Sequence, residues 1–335
     1  MTRFATILGH ERAIEVLTGL LERRRIPHAL LFHGPEGVGK ASIAKRLAGA
    51  LICAELGCGA CDDCRLFEAG NHPDYVRVKL ELRKDGKEYR KQIVVDQVRQ
   101  ISSLVGLAPR TGARRVIVID PADRMNIEAQ NALLKTLEEP PPHSVLILIA
   151  ARPQVLVSTV RSRCFALGFG PLRAEELAGL LKSRGFGPSE AMARAALAEG
   201  RPGKALELDL EALNARRESL LHGLERLASG RGIRMLQDLG AAVAGKDETA
   251  LQANLELLAG LLRDAARAAS GDGSEVLVHA DLADRLARLG GTLGSERAAE
   301  LVASVDRLRD QLRFNLNRTL VAESLLAAVA GGPVP

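Results

Sequence analysis

Residues 34–42 read GPEGVGKAS, with the apolar run HALLFHG (28–34) before them and the helically spaced segment Lys40–Ile52 after them. A buried strand that enters a glycine-rich turn and leaves as a helix permits few folds. Gly34, Gly37 and Gly39 let the backbone N–H groups turn inward as an anion nest. The helix points its positive end at the same place, and Lys40 adds a point charge for outer phosphates. The other reading is a glycine-rich turn with an incidental lysine, and the flanking strand and helix argue against it. One position departs from the pattern. Ala41 stands where a hydroxyl would ligate Mg²⁺, and Ser42 comes one residue late, about 100° around the helix. The cradle is complete while its metal ligand is missing.

The rest of the first 170 residues repeats the alternation. Helical spacing runs over Glu11–Arg23 and Asn126–Leu137, the second stopped by Pro140, Pro141 and Pro142. RVIVID (115–120) and VLILIAA (145–151) are further apolar strands. Continuous apolar strands separated by helices predict a parallel sheet covered on both faces. After about Gly170 no strand pattern remains. Short helices are expected over 173–209. From 210 to 330 long helices rich in Leu, Ala and Arg are expected, broken at GRG, AGKDE, SGDGS and GGTLGS. A chain of 335 residues exceeds one ordinary core. The expectation is an α/β domain over 1–169, a small helical domain over 170–209 and an all-α domain over 210–335.

No apolar run reaches transmembrane length, and the first residues lack a signal peptide's apolar centre, so a cytoplasmic protein is expected. The net charge of +5 permits nucleic-acid contact without demanding it. With no Trp and 3% aromatics, stacking on single strands is an unsuitable main device. Arg110, Arg114 and Arg115 form a basic stretch that suits a solvated loop or DNA phosphates. His10 and His28 have no ligand partners in the sequence and read as structural.

Cys53, Cys58, Cys61 and Cys64 lie within twelve residues, in two overlapping C-x-x-C spacings. In a reducing compartment such a cluster reads as metal rather than disulfide. Four thiolates match tetrahedral zinc, and a site closed by four sulfurs is structural. Gly57 and Gly59 permit the turns that aim the sulfurs inward. A redox-active pair is the alternative. Cys164 reads as a small buried apolar residue.

VIVIDPAD (116–123) ends an apolar strand at Asp120, where a nucleotide hydrolase holds its metal, but Pro121 occupies the place of the carboxylate that orients water. Asp120 also suits a helix-capping role. Asp123 could replace the missing carboxylate only from most of a helical turn away.

Taken in order, GPEGVGK, the cysteine module, VIVIDPAD, AQNALLKTLEEPP (129–141) and SRC (162–164) resemble the bacterial DNA polymerase III clamp loader, an AAA+ family. FNLNRTLVAESLL (314–326) is similar to the end of that family's last domain. The resemblance implies an AAA+ domain, a helical lid and a C-terminal collar through which subunits assemble. The implied partners are gamma/tau and delta subunits, and through them the sliding clamp and primed DNA. Ala41, Pro121, Ala150 and Ala151 at the first sensor, and Gly203 in GRPGKAL (200–206) at the second, all depart from the hydrolysing gamma/tau pattern. Together they imply a delta-prime type of subunit, a stator without ATPase activity of its own inside a DNA-directed DNA polymerase holoenzyme. ATP or ADP would be held weakly or as a vestige, by Gly34, Gly37, Gly39, Lys40 and Asp120. In the family, the arginine of SRC reaches a neighbour's ATP, which implies an arginine-finger role for Arg163. Without the resemblance, Arg161 and Arg163 read as strand-capping or solvated charges. The alternative function is an active gamma-type ATPase.

Overall fold

The structure is a computed structural model, and it describes residues 4, 7, 9–82, 89–230, 236–270, 277–311 and 317–332. The chain divides into two compact units, Met1–Glu207 and Leu208–Pro335.

In the first unit, five parallel strands, β1 (Ala29–His33), β2 (Tyr75–Val78), β3 (Arg115–Ile119), β4 (Ser144–Ala150) and β5 (Phe165–Gly168), form one sheet in the order β2-β3-β4-β1-β5. The three strands expected from the sequence are the central three, and β2 and β5 flank them. Side chains along the central strands alternate between two cores, as the period of two requires. Leu30, Phe32, Val116, Val118, Val145 and Ile147 face one side. There they meet α1 (Glu11–Glu22) and α2 (Lys40–Ile52), which contribute Leu17, Leu21, Ile43 and Leu47. Short α3 (Asp62–Glu68) adds Phe67 to the same core. Leu31, Ile117, Ile119, Leu146 and Leu148 face the other side. They pack on α4 (Val95–Val105) and α5 (Ile127–Glu138) through Val98, Ile101, Leu133 and Leu137. This is the expected α/β arrangement, with helices on both faces of a parallel sheet.

One-turn α6 (Ser158–Arg161) precedes β5. Three helices follow: α7 (Ala174–Ser183), α8 (Pro188–Leu197) and α9 (Pro202–Glu207). They share a small core of Leu177, Leu181, Ala191, Ala195 and Ala205.

The second unit holds α10 (Leu210–Ala228), α11 (Leu236–Ala244), α12 (Glu248–Ser270), α13 (Ala283–Leu293), α14 (Ser295–Gln311) and α15 (Arg318–Val329). Leucines from all six enclose one core, among them Leu224, Leu239, Leu255, Leu286, Leu301 and Leu325. The break expected at GGTLGS falls only at Gly294. Gly290 and Gly291 continue α13, and a Cβ on Gly290 would collide with the Ala265 carbonyl, 2.0 Å away. Glycine there permits a close helix–helix approach rather than ending a helix. The expected breaks at GRG and SGDGS, and the start of FNLNRTLVAESLL, fall partly on 231–235, 271–276 and 312–316, outside the described residues.

Candidate functional site

The turn after β1 and the N-terminus of α2 form one wall of a cleft of about 400 Å³. Gly37 and Gly39 take φ of 79° and 108°, a region that favours glycine. The cleft brings together Gly37, Gly39, Lys40, Asp120 and Pro121. Ala151 and Gly203, the positions expected for the two sensors, line it as well. Gly34 lies beneath, its N–H donated to the Ala150 carbonyl at 3.2 Å. Ser42 lines this cleft and also a second one, between α2 and the cysteine module.

Lys40 and Asp120 both have partners within the chain. Lys40 is 5% exposed, and its Nζ donates to the Gly34 and Pro35 carbonyls at 2.5 and 2.6 Å. Burial pushes its pKa down, against the opposing pull of Glu36, Asp120 and Asp123. Asp120 Oδ2 accepts from Arg77 Nη2 at 2.7 Å. The capping role considered for Asp120 is not what its carboxylate does. Its peptide bond to Pro121 is cis. Asp123 is buried, and its Oδ2 accepts from the Arg152 backbone N–H at 3.0 Å. That carboxylate is turned into the protein, a poor placement for a base that must meet a water molecule in the cleft. Gly203 donates its N–H to the Gly37 carbonyl at 2.8 Å, and a Cβ on it would lie 3.2 Å from the Gly37 backbone. The first turn of α9 therefore rests directly on the glycine-rich loop, so closely that any side chain at 203 would require the loop to give by a few tenths of an ångström.

Arg163 stands at the other end of the sheet. β5 runs parallel to β1 with Leu30 opposite Phe165 and His33 opposite Gly168. SRC thus precedes the strand's start, whereas the phosphate loop follows the end of β1. Three residue steps of strand, about 10 Å at 3.3 Å each, lie between those ends. Arg163 Nη2 pairs with Glu138 Oε1 at 2.9 Å, and its Nη1 donates to the Thr159 carbonyl at 3.0 Å. Its side chain is about one-third exposed.

The four clustered sulfurs lie within 4.8 Å of one another. Cys53 Sγ is 3.8 Å from Cys58 Sγ and 3.7 Å from Cys61 Sγ, and Cys58 Sγ is 4.0 Å from Cys64 Sγ. A zinc ion with Zn–S bonds of about 2.3 Å needs edges of about 3.8 Å. The cluster is therefore compatible with zinc. Backbone N–H groups of Cys58, Gly59, Cys61 and Cys64 point at the sulfurs from 3.3–3.5 Å. Amide donation from Ala60 and Cys61 lowers the Cys58 thiol to about 6, whereas burial raises the Cys64 thiol to about 12. Cys164 lies apart against the sheet core, and burial raises its thiol to about 11.

The basic stretch needs correction. Arg115 is not a solvated or DNA-facing side chain. It is 4% exposed, and its Nη2 lies 2.9 Å from Asp74 Oδ1. Arg110 is exposed and Arg114 half-buried. Arg77 and Asp74, which partner Asp120 and Arg115, carry no motif that could mark them in the sequence, whereas Glu138, the partner of Arg163, lies within AQNALLKTLEEPP.

No helix among the described residues is long and apolar enough to cross a membrane. A family model described as DNA polymerase III, delta subunit, matches residues 9–173, and one for the C-terminal part of that subunit matches 211–330. DNA polymerase III subunit delta' of Pseudomonas aeruginosa is 32% identical over 330 residues, covering 93% of this chain and 94% of that one. The Escherichia coli delta' subunit is 31% identical, covering 94% and 92%. The Escherichia coli tau subunit is 37% identical, but over 179 residues, 52% of this chain and 26% of that one. The likeness to tau is thus confined to about half of the chain, whereas the likeness to delta' runs through both units. The chain belongs to the delta-prime subunit family of DNA polymerase III.

Proposed function

We propose that the chain is the stator of a DNA polymerase III clamp loader, a subunit that shapes the assembly and serves a neighbour's ATP site without hydrolysing ATP itself. The observation that carries this reading is the contrast between the two ends of the sheet. In the cleft, Lys40 and Asp120 are engaged by the chain's own carbonyls and by Arg77, and the expected catalytic positions hold Ala41, Pro121, Ala151 and Gly203. At the far end, Arg163 keeps a partly exposed guanidinium that cannot reach that cleft.

Arg163 would then act in trans. Its planar fork supplies positive charge to the phosphoryl group as charge shifts during transfer, a contribution worth about 10³–10⁵ in rate in systems that use such an arginine. To do so it must exchange Glu138 for the neighbour's phosphates, a small cost for a half-exposed pair. Zinc held by Cys53, Cys58, Cys61 and Cys64 supports the module structurally. The six-helix unit joins gamma/tau and delta subunits as part of a collar, and through them the chain meets the sliding clamp and primed DNA in the cytoplasm. Any ATP or ADP in the cleft is bound weakly, on Gly34, Gly37, Gly39 and Lys40, and is not turned over.

Two measurements test the proposal. Purified chain should show negligible ATP turnover, alone or with primed DNA; robust turnover abolished by Lys40→Ala would overturn it. In a reconstituted loader, Arg163→Ala in this chain alone should slow ATP hydrolysis and clamp loading, and an unchanged rate would remove the in-trans role.

A further inference from the structure

A divalent cation in a cleft of this type needs a hydroxyl at the start of the helix and a free carboxylate at the end of the third strand. Neither is offered here. Position 41 is alanine, and Asp120, the only carboxylate at the end of β3 that lines the cleft among the described residues, is ion-paired with Arg77. Arg77 comes from β2, the neighbour of β3, with Val78 opposite Ile119 in the register. The pair is therefore set by two hydrogen-bonded strands, not by flexible loops. The donor set does not fit magnesium, and a guanidinium already neutralises the charge a metal would neutralise.

We infer that the cleft takes a phosphate-bearing ligand of the nucleoside di- or triphosphate class without a divalent cation, Arg77 standing as a built-in counter-cation to Asp120. This rests on the reading of the cleft as a weak nucleotide site, and it adds how the charge is balanced there. Removing the guanidinium leaves an unpaired carboxylate beside the phosphates, and like charges at such distances repel strongly where water is partly excluded. Magnesium binding, or loss of the carboxylate, would relieve that repulsion.

The test is titration of the zinc-loaded full chain with fluorescent ADP, in EDTA and in millimolar magnesium. The wild-type affinities should agree within about twofold, and a gain of about tenfold or more with magnesium would overturn the inference. Arg77→Met should weaken binding in EDTA by about fivefold to tenfold, with magnesium restoring part of the loss. Arg77→Met/Asp120→Asn should restore binding in EDTA, because the offending charge is gone; a double variant as weak as the single one would show that Arg77 acts by another route. Absence of ADP binding in every buffer would overturn the nucleotide reading itself. The metal part is then decided by Mn²⁺ paramagnetic resonance without nucleotide. An equivalent of Mn²⁺ held by the wild type and lost in Asp120→Asn would overturn it, and no such equivalent would support it.

Discussion

Arg115 and Asp74 form a buried ion pair, 2.9 Å between Nη2 and Oδ1, where the loop before β3 turns into the sheet. Asp74 also accepts from the backbone N–H groups of Arg110, Thr111 and Gly112 at 2.9–3.1 Å. One carboxylate thus organises the whole loop, and its environment makes it pH-sensitive. Burial alone would raise its pKa. The three amides and Arg115 outweigh that and hold it down at about 2.

Because the folded value lies below the unfolded one, the stabilisation is complete above the ordinary carboxylate range and disappears as pH falls towards 2. Its size is on the order of 2 kcal/mol. Asp74→Asn should therefore lower the urea midpoint at pH 7, and the gap to wild type should narrow between about pH 5 and pH 2. A gap that stays constant through that window would mean that the pair does not titrate as described. Asp74→Ala, which strands Arg115 in the interior, should cost about 3–5 kcal/mol.

The cysteine module should carry one zinc per chain. Cys64→Ser should lose it, and Cys164→Ser should not, because Cys164 lies outside the cluster. His72 Nε2 contacts Asp63 of α3 at 3.2 Å, and His72 Nδ1 accepts from the Asp74 N–H at 3.1 Å. Metal loss should therefore raise amide exchange in the loop 110–112 as well as in 57–68. Faster exchange confined to the module would sever that link.

Gly203→Val should act on a distant part of the sequence. Its added bulk must push α9 off the phosphate loop, at a cost of about 1–3 kcal/mol. Amides of residues 36–39 should exchange faster in the variant, whereas Gly179→Ala, on an open face of α7, should leave them unchanged. Equal protection in wild type and Gly203→Val would mean that the contact bears no load.

Arg163→Lys should fail to restore the loader's hydrolysis rate lost in Arg163→Ala. Lysine keeps the charge but not the planar fork that reaches two oxygens at once. Full rescue by lysine in steady-state turnover would reduce the role to simple charge.

The central sheet was legible because β1, β3 and β4 are buried on both faces and read as unbroken apolar runs. The edge strands were not. β2 carries Arg77 in four residues, and three of the four residues of β5 are exposed. Strands that short, paired on one side only, leave too weak a pattern. α4 did leave a signal, in the spacing of Val95, Val98, Ile101 and Val105. The glycine-rich turn into α2 and the four-cysteine cluster were legible because local spacing defines them. Arg77, Asp74, the pairing of Glu138 with Arg163 and the Gly37–Gly203 contact were not, because each joins segments far apart in sequence or lacks any distinguishing residue type.

The parallel pairing of β1 and β5 has one more consequence. It gives the first unit a front, where the cleft opens, and a back, where Arg163 projects. Units that meet front to back form a row with a direction, and such a row needs one member whose front asks nothing of a neighbour. A cleft whose lysine and carboxylate are already paired within the chain suits that place, which is the one the proposed stator would take.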